Sequence, residues 1–301
     1  MIKLDLLRAF VTVTRHGRLR DAGEELGRTQ SAISMNLAQL EEQLGGQLFE
    51  TDRKKELTDL GRYVRDRADE LLRENDRIQQ LLIDYAQGHS GRLRIASVPS
   101  VAALLLPTIL NDFMRVHSAA AIELTDSDSA SVRSMVDQGH ADIGIAGPAA
   151  TGQSLWKAAL FEDRLHVVCH AGSPLAVASG HLRWQDLRGN KLIANETLTD
   201  IDAPAARELL NESQLSARNV SSLFAMVQAG LGYTVLPGLA THQLSEGLIA
   251  VPMKGKRCDR EISLLTHNGR TLSPLARAFQ TFLAENIPRV LSQYHFMATD
   301  V

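Results

Sequence analysis

The residues best placed to do chemistry stand near the start of the chain, in the stretch GRTQSAISMNLAQLEEQLG at 27–45. Apolar side chains recur there three or four positions apart, at Ile33, Leu37, Leu40 and Leu44. This spacing predicts a helix with one buried face. The opposite face begins with short or uncharged side chains, at Gln30, Ser31, Ser34 and Met35. Short polar groups of this kind indicate a helix that hydrogen-bonds to a partner at close range.

Two shorter helices before this stretch and a basic hairpin after it are predicted to position that face. Apolar spacing predicts a first helix that ends near His16-Gly17 and a second at 19–26, which Gly27 closes. Thr29 is a suitable N-cap for the third helix. The following QLFETDRKKELT predicts two extended pieces around a basic turn, Arg53-Lys54-Lys55.

Residues 1–57 therefore fit a winged helix-turn-helix domain, whose third helix enters the major groove of DNA and contacts base edges. A small helical domain whose polar face only meets water would show the same spacing. The pattern alone leaves both interpretations open.

A single long helix is predicted from Thr58 to Gln87, because neither Gly nor Pro interrupts it after Gly61. A narrow, nearly heptad stripe runs along it through Leu60, Val64, Ala68, Leu71, Asn75, Ile78, Leu82 and Tyr85. About 30 residues make a rod of roughly 45 Å. One apolar stripe on a charged helix favours pairing with a second helix over a solvated spacer, so 58–88 is predicted to be a dimerisation helix.

After the linker QGHSGR at 87–92, strands and helices alternate, which predicts a parallel, doubly wound α/β sheet. The pattern repeats, so 92–301 is predicted to form two lobes, 92–160 with 264–301 and 161–263. A cleft is expected between them, where ligands favour the carboxyl ends of strands.

The composition of the 301 residues is that of an ordinary globular protein, with 44% apolar and 22% charged residues and a net charge of −3. Two cysteines, Cys169 and Cys258, are too few for a disulfide framework and fit a reducing compartment. The first residues make a poor signal peptide, and no apolar run approaches the ~18–20 residues of a membrane span. We expect a cytoplasmic protein that contacts no membrane.

No nucleophile and base, and no set of metal ligands, converge in the sequence, so we predict neither catalysis, nor a cofactor, nor a metal site. A redox role for the two cysteines stays open beside the commoner alternative of buried free thiols.

Two sets of motifs identify the chain as similar to the LysR-type transcriptional regulators over nearly its whole length. The first is LLRAFVTVTRHGRLRDAGEELGRTQSAIS, LEEQLGGQLFE and LTDLG; the second is GHADIGIAG, SSLFAMVQAGLGYTVLP and LSPLARAFQTFL. The resemblance implies a winged helix-turn-helix, a dimerising linker helix and a two-lobed effector domain like that of periplasmic binding proteins. It also implies a homodimer or a homotetramer, and leaves RNA polymerase open as a partner.

The sequence departs from this family in the charge of its DNA-binding domain. Most members carry Arg where Met35 and Thr51 stand. Residues 1–57 hold nine basic and nine acidic side chains, although phosphate neutralisation supplies much of the affinity for DNA. Backbone contacts are therefore predicted from the local basic residues Arg18, Arg20, Arg28, Arg53, Lys54 and Lys55. Base contacts are predicted from the third helix and its cap, at Thr29, Gln30, Ser31, Ser34 and Met35.

For the effector, the resemblance points to the cleft between the lobes. Ser97 and Ser100 flank the start of a predicted helix, a place that suits a carboxylate or another anion. The alternative is that these serines only cap the helix. The other residues predicted to face the effector, from their order along the chain, are Val101, Ala146, Gly147, His170, Asn195, Thr197, Ser222 and Phe224. His170 could equally well cap its strand end.

The sequence thus predicts a regulator that binds a double-stranded DNA operator and responds to a small organic anion. The alternative is a small-molecule-binding protein of the same fold whose DNA binding has weakened or been lost.

Overall fold

The structure is a computed structural model that describes residues 1–50, 56–147, 154–177, 180–199, 201, 203–255 and 257–294. The chain divides into two compact units, Met1–Asp84 and Tyr85–Val301. The predicted basic turn at Arg53, Lys54 and Lys55, like Thr51, lies outside the described residues.

Three helices and the start of a fourth build the first unit. Their bounds are α1 Leu4–His16, α2 Leu19–Leu26, α3 Gln30–Leu44 and α4 Asp59–Ala86. The predicted N-cap is confirmed, because the Thr29 hydroxyl accepts a hydrogen bond from Ala32 N at 3.2 Å. Phe49 and Leu57, which flank residues 51–55 in the sequence, form an antiparallel bridge. The predicted order of three helices followed by paired extended segments is therefore confirmed.

The apolar stripe of α4 is buried in its first part and exposed in its second. Val64, Ala68 and Leu72 are buried in the core of the first unit, together with Phe10, Ile33 and Leu40 from the three helices. Leu71, which the heptad pattern placed with Val64 and Ala68, is 49% exposed, because the helix turns Leu72 inward instead. Farther along, an exposed stripe remains at Leu71, Ile78, Leu82 and Tyr85. The sequence predicted one continuous stripe for pairing with a second helix, whereas the first part of the stripe packs into the core of the first unit.

The second unit is built on a mixed sheet. Its strands are β1 Ser90–Ser97, β2 Ala119–Asp126, β3 Ile143–Ala146, β4 Leu155–His170, β5 Ile193–Ala194, β6 Leu215–Ser216, β7 Thr234–Pro237, β8 Leu248–Pro252 and β9 Asp259–His267. Its helices are α5 Pro99–Leu104, α6 Leu106–Val116, α7 Ser129–Gln138, α8 Glu196–Thr199, α9 Pro204–Glu212, α10 Val220–Gln228 and α11 Pro274–Leu291.

The main sheet has the strand order β2-β1-β3-β9-β4-β7, and β8 also pairs with β4. The parallel prediction is confirmed for β2, β1 and β3. It is wrong for the rest of this sheet, because β9 and β4 return antiparallel to their neighbours. The sixteen residues of β4 explain the difference: its first half pairs with β9 and its second half with β7 and β8.

Two large apolar clusters lie along this sheet. One surrounds β1, β3, α6 and α11, where the rings of Phe113 and Phe279 meet edge to face at 5.1 Å. The other surrounds the second half of β4, with Trp184, Leu187 and Tyr233 in it. Within the described ranges, no helix is both long and apolar enough to cross a membrane.

Gly61 provides a direct test of the packing of α4 in the first unit. A Cβ atom there would stand 2.1 Å from the backbone oxygen of Leu48, which cannot move away as a flexible side chain would. Gly61→Ala should therefore destabilise the protein by about 1–3 kcal/mol through overpacking, although Ala is favoured over Gly by about 1 kcal/mol in an open helix. Urea unfolding followed by far-UV circular dichroism measures the change. Gln79→Ala, at an exposed position of the same helix, is the control and should cost nothing. Greater stability of Gly61→Ala would contradict this packing.

Candidate functional site

The first candidate surface is the exposed face at the start of α3. The helix buries Ile33, Leu37 and Leu40, so Gln30, Ser31, Ser34 and Met35 all point to solvent, with Met35 73% exposed. The hydroxyls of Thr29 and Ser31 lie 3.0 Å apart. Within the described residues, the side chains of Gln30 and Ser34 have no hydrogen-bond partner and are available to another molecule.

Acidic neighbours neutralise most of the basic side chains near this face. Arg28 Nη2 donates to Asp5 at 2.9 Å, and Arg20 Nε donates to Glu24 at 3.0 Å. Arg18 is exposed and has no ion pair with any described residue. Solvent-exposed pairs like these contribute about 0–1 kcal/mol, so a phosphate group can displace them. The Arg20–Glu24 pair was visible in the sequence as an i, i+4 spacing, whereas the Arg28–Asp5 pair was not.

The second candidate site is a cavity of about 630 Å³ in the second unit. One side of the cavity is lined by α5 and by the loop after β2. The other side comes from α8, the start of α10 and the end of β7. Of the residues predicted from the sequence, Ser100, Asn195 and Thr197 line it. The lining also contains five charged side chains: Asp126, Asp128, Glu196, Arg218 and Arg260.

A buried ion pair stands at the wall of this cavity. Asp163 and Arg260 face each other on β4 and β9, and Arg260 Nη2 lies 3.3 Å from Asp163 Oδ2. The same nitrogen donates to Ser100 Oγ at 2.9 Å, and Leu239 N donates to Asp163 Oδ1 at 3.2 Å. Burial raises the pKa of Asp163 above its ordinary value, while the charge of Arg260 opposes that rise. Ser100 is thus linked to both central strands.

Asn195 and Thr197 form a hydrogen-bonded rim. Asn195 Nδ2 donates to Thr234 Oγ1 at 2.8 Å and to Val235 O at 2.9 Å. Its Oδ1 accepts from Thr197 N at 2.9 Å. The amide of Asn195 therefore holds the start of β7 against the start of α8.

Several predicted effector residues do not line the cavity. Ser97 and Val101 are fully buried, and the Ser97 hydroxyl donates to Val98 O at 3.2 Å. The alternative that serines cap α5 is also wrong, since its N-cap is Val98, with no side-chain hydrogen bond. The others that the structure places away from the cavity lining are Ala146, Gly147, Ser222 and Phe224. Gly147 N donates to Ser129 Oγ, and the serines that line the cavity besides Ser100 are Ser127, Ser129 and Ser221.

His170 lies at a different and smaller cavity, of about 300 Å³, beside Lys191 and Tyr233. Its Nδ1 accepts a hydrogen bond from Gly172 N, as expected of a residue that ends a strand. His166 stands four residues earlier, a spacing that suits metal binding on a helix. Both lie on β4, where four residues span about 13 Å, so they cannot share one ion.

Cys169 and Cys258 are buried in the same apolar cluster. Burial raises the pKa of both thiols, which disfavours the reactive thiolate form. Both are the buried free thiols of the commoner alternative.

Two family models match the chain. The model "Bacterial regulatory helix-turn-helix protein, lysR family" matches residues 4–62, and "LysR substrate binding domain" matches residues 86–288. The chain is 31% identical over 288 residues to the uncharacterized HTH-type transcriptional regulator YfeR of Shigella flexneri, covering 91% of each chain. It is 25% identical to the DNA-binding transcriptional dual regulator OxyR of Escherichia coli K12, covering 95% of this chain and 98% of OxyR.

The fold is similar to that of CbnR, a LysR family transcriptional regulator. The TM-score is 0.74 at 18% identity, covering 93% of this chain and 99% of CbnR. CbnR bound to its target DNA gives a TM-score of 0.73 at the same identity, covering 95% of this chain and 99% of CbnR.

The buried pair can be tested by a double-mutant cycle. Arg260→Met leaves the Asp163 carboxylate buried without its counter-charge and should cost about 3–5 kcal/mol of unfolding free energy. The double variant Arg260→Met/Asp163→Leu removes both charges and should lose less than the two single losses combined. Urea unfolding followed by tryptophan fluorescence measures the second unit, since Trp156 and Trp184 both lie in it.

The matched control for this cycle is Arg164→Met, which breaks a half-exposed pair with Asp259 on the same two strands. It should cost no more than about 1 kcal/mol. Equal losses for Arg164→Met and Arg260→Met would contradict a special role of the buried pair.

Proposed function

The chain belongs to the LysR family of bacterial transcriptional regulators, and we propose that a small organic acid, bound in the 630 Å³ cavity at Ser100, controls how it holds an operator. It is a DNA-binding transcriptional regulator with an effector-binding domain. The observation that carries the proposal is the Ser100–Arg260 contact at the cavity wall, since a hydroxyl beside a buried guanidinium suits a carboxylate.

On the DNA side, α3 approaches base edges with Gln30, Ser31 and Ser34, whose short side chains allow close contact. Arg18 is free to meet a phosphate, and Arg28 exchanges its bond to Asp5 for one. The basic residues 53–55 complete the backbone contacts in this proposal. Because each contact neutralises one phosphate, this set determines the salt dependence of binding.

On the effector side, the chain passes between the proposed lobes, 92–160 with 264–301 and 161–263, through β4 and β9. Ser100 and Asn195 lie on opposite sides of the cavity, one from each lobe. A ligand that contacts both sides binds the closed arrangement better and so shifts the population toward it. That closure re-spaces the paired DNA-binding domains along an imperfect palindrome.

The exposed stripe Leu71, Ile78, Leu82 and Tyr85 supports pairing of α4 with a second copy of the chain. Two such dimers would form the homotetramer implied by the family. We place this regulator in the cytoplasm, where it meets its operator and, in activation, RNA polymerase.

The DNA-binding assignment predicts a specific pattern for Arg28 and its partner. Arg28→Ala should weaken binding alike on the duplex upstream of the protein's own gene and on a scrambled duplex, and should flatten the salt slope by about one unit. Asp5→Asn releases Arg28 from its ion pair and should tighten binding on both duplexes. Fluorescence anisotropy between low and moderate salt measures both effects. A loss confined to the cognate duplex would contradict a phosphate contact, and no binding to either duplex would favour the alternative of lost DNA binding.

The effector assignment predicts different outcomes for two neighbouring serines. In a thermal-shift screen of small carboxylates and aromatic acids, a ligand at 100 times its Kd should add about 2.7 kcal/mol of stability. Ser100→Ala should remove most of this gain, because the hydroxyl lines the cavity. Ser97→Ala is the matched control, since Ser97 is fully buried, bonds to Val98 O and does not itself line the cavity. If Ser100→Ala keeps the full shift, the proposed contact is wrong.

A further inference from the structure

The walls of the cavity carry an excess of negative charge. Three carboxylates, Asp126, Asp128 and Glu196, line it, against two guanidiniums, Arg218 and Arg260. Both guanidiniums already face carboxylates. Arg218 Nε lies 2.7 Å from Glu196 Oε1, and Arg260 is paired with the buried Asp163 behind the wall. Asp126 is exposed, and no described residue forms an ion pair or a hydrogen bond with its carboxylate.

Asp128 and Glu196 approach each other across the cavity from different elements. Asp128 is the N-cap of α7, and Glu196 is the first residue of α8. Burial raises the pKa of Asp128, but the hydrogen bonds that its carboxylate accepts from Ser131 N and Ser131 Oγ outweigh this effect and lower the pKa below its ordinary value. Asp128 therefore carries a negative charge. Arg218 is the guanidinium that pairs with this group of carboxyls, through Glu196.

A purely anionic ligand fits poorly into such a cavity. It would add one more negative charge to walls that already have more carboxylates than guanidiniums. An ammonium group at the acidic side removes this conflict, because its three donors match carboxylate acceptors. At the other side, Ser100 and Arg260 offer hydrogen-bond donors to a carboxylate.

We propose that the effector is an amino acid or an amino-acid-like zwitterion, whose ammonium group binds Asp126, Asp128 and Glu196 and whose carboxylate binds Ser100 and Arg260. This inference rests on the proposed function of the cavity. The remaining lining, with Leu104, Leu124, Leu223 and Leu236, receives an apolar side chain. The volume of about 630 Å³ is that of an ordinary small-molecule site, so space for such a side chain is available.

The test compares three ligands that share one carbon skeleton, with full-length protein and with EDTA present to exclude divalent cations. The twenty standard amino acids are first screened by thermal shift. Isothermal titration then compares the best amino acid with its analogue that lacks the amino group and its analogue that lacks the carboxylate. We expect the amino acid to bind roughly 10- to 100-fold more tightly than the analogue without the amino group, as charged hydrogen bonds require.

Two conservative variants locate the ammonium site. Asp126→Asn removes an exposed charge, and Asp128→Asn removes a charge while it keeps the side-chain oxygen that caps α7. Each should weaken binding of the amino acid about tenfold or more, without weakening binding of the analogue that lacks the amino group. Asp137→Asn is the matched control, an equal change of charge on the exposed side of α7.

The outcomes separate this inference from the proposed function. If the analogue without the amino group binds as tightly as the amino acid, or if both variants bind the amino acid normally, the ammonium site is wrong. If the analogue without the carboxylate binds as tightly as the amino acid, the ammonium site stands and the Ser100 carboxylate contact falls. If none of the three ligands binds, the amino-acid inference is wrong, and the proposed organic-acid effector is decided by the separate screen of carboxylates and aromatic acids.

Discussion

The pairing of β4 with β9 is the interaction on which the second unit depends. β4 contributes side chains to both apolar clusters and β9 to the first of them. The buried pair of Asp163 and Arg260 lies directly across the ladder between the two strands. Burying two charges costs several kcal/mol for each ion, which close pairing must offset. The arrangement also ties Ser100 of α5 and the backbone at Leu239 to the same two strands. Any ligand that engages Ser100 therefore acts on a group already bonded to the central strands.

The local features of the first unit could be predicted from the sequence, because their causes are local. Gly17, Gly27 and Gly45 all have positive φ values and close α1, α2 and α3 as the sequence indicates. The Thr29 cap likewise depends on residues within three positions. The burial of Leu72 in place of Leu71 was not predicted, because it depends on how α4 packs against the core formed by α1, α2 and α3.

The sheet and the cavity could be predicted only in part. Ser100, Asn195 and Thr197 follow the ends of strands, and such positions reach the cavity by the general rule for α/β sheets. Ser97 and Ala146 do not line the cavity, because they still belong to strands and lie within the buried sheet. Arg260 gave no sequence signal, since its partners Ser100 and Asp163 are 160 and 97 residues away. The antiparallel return of β4 is invisible for the same reason.

The self-neutralised charge around α3 has a consequence for how such a protein searches a genome. Chromosomal DNA offers roughly 10⁶–10⁹ competing sites, which hold a protein mainly through its phosphate contacts. A domain whose arginines are largely occupied by its own carboxylates spends little time on these competitors. Its residence at any site then depends more on the hydrogen bonds with base edges that we propose for Gln30, Ser31 and Ser34. Such a protein has a lower affinity for all DNA but a higher specificity for its operator. Fewer copies per cell then suffice to find one operator.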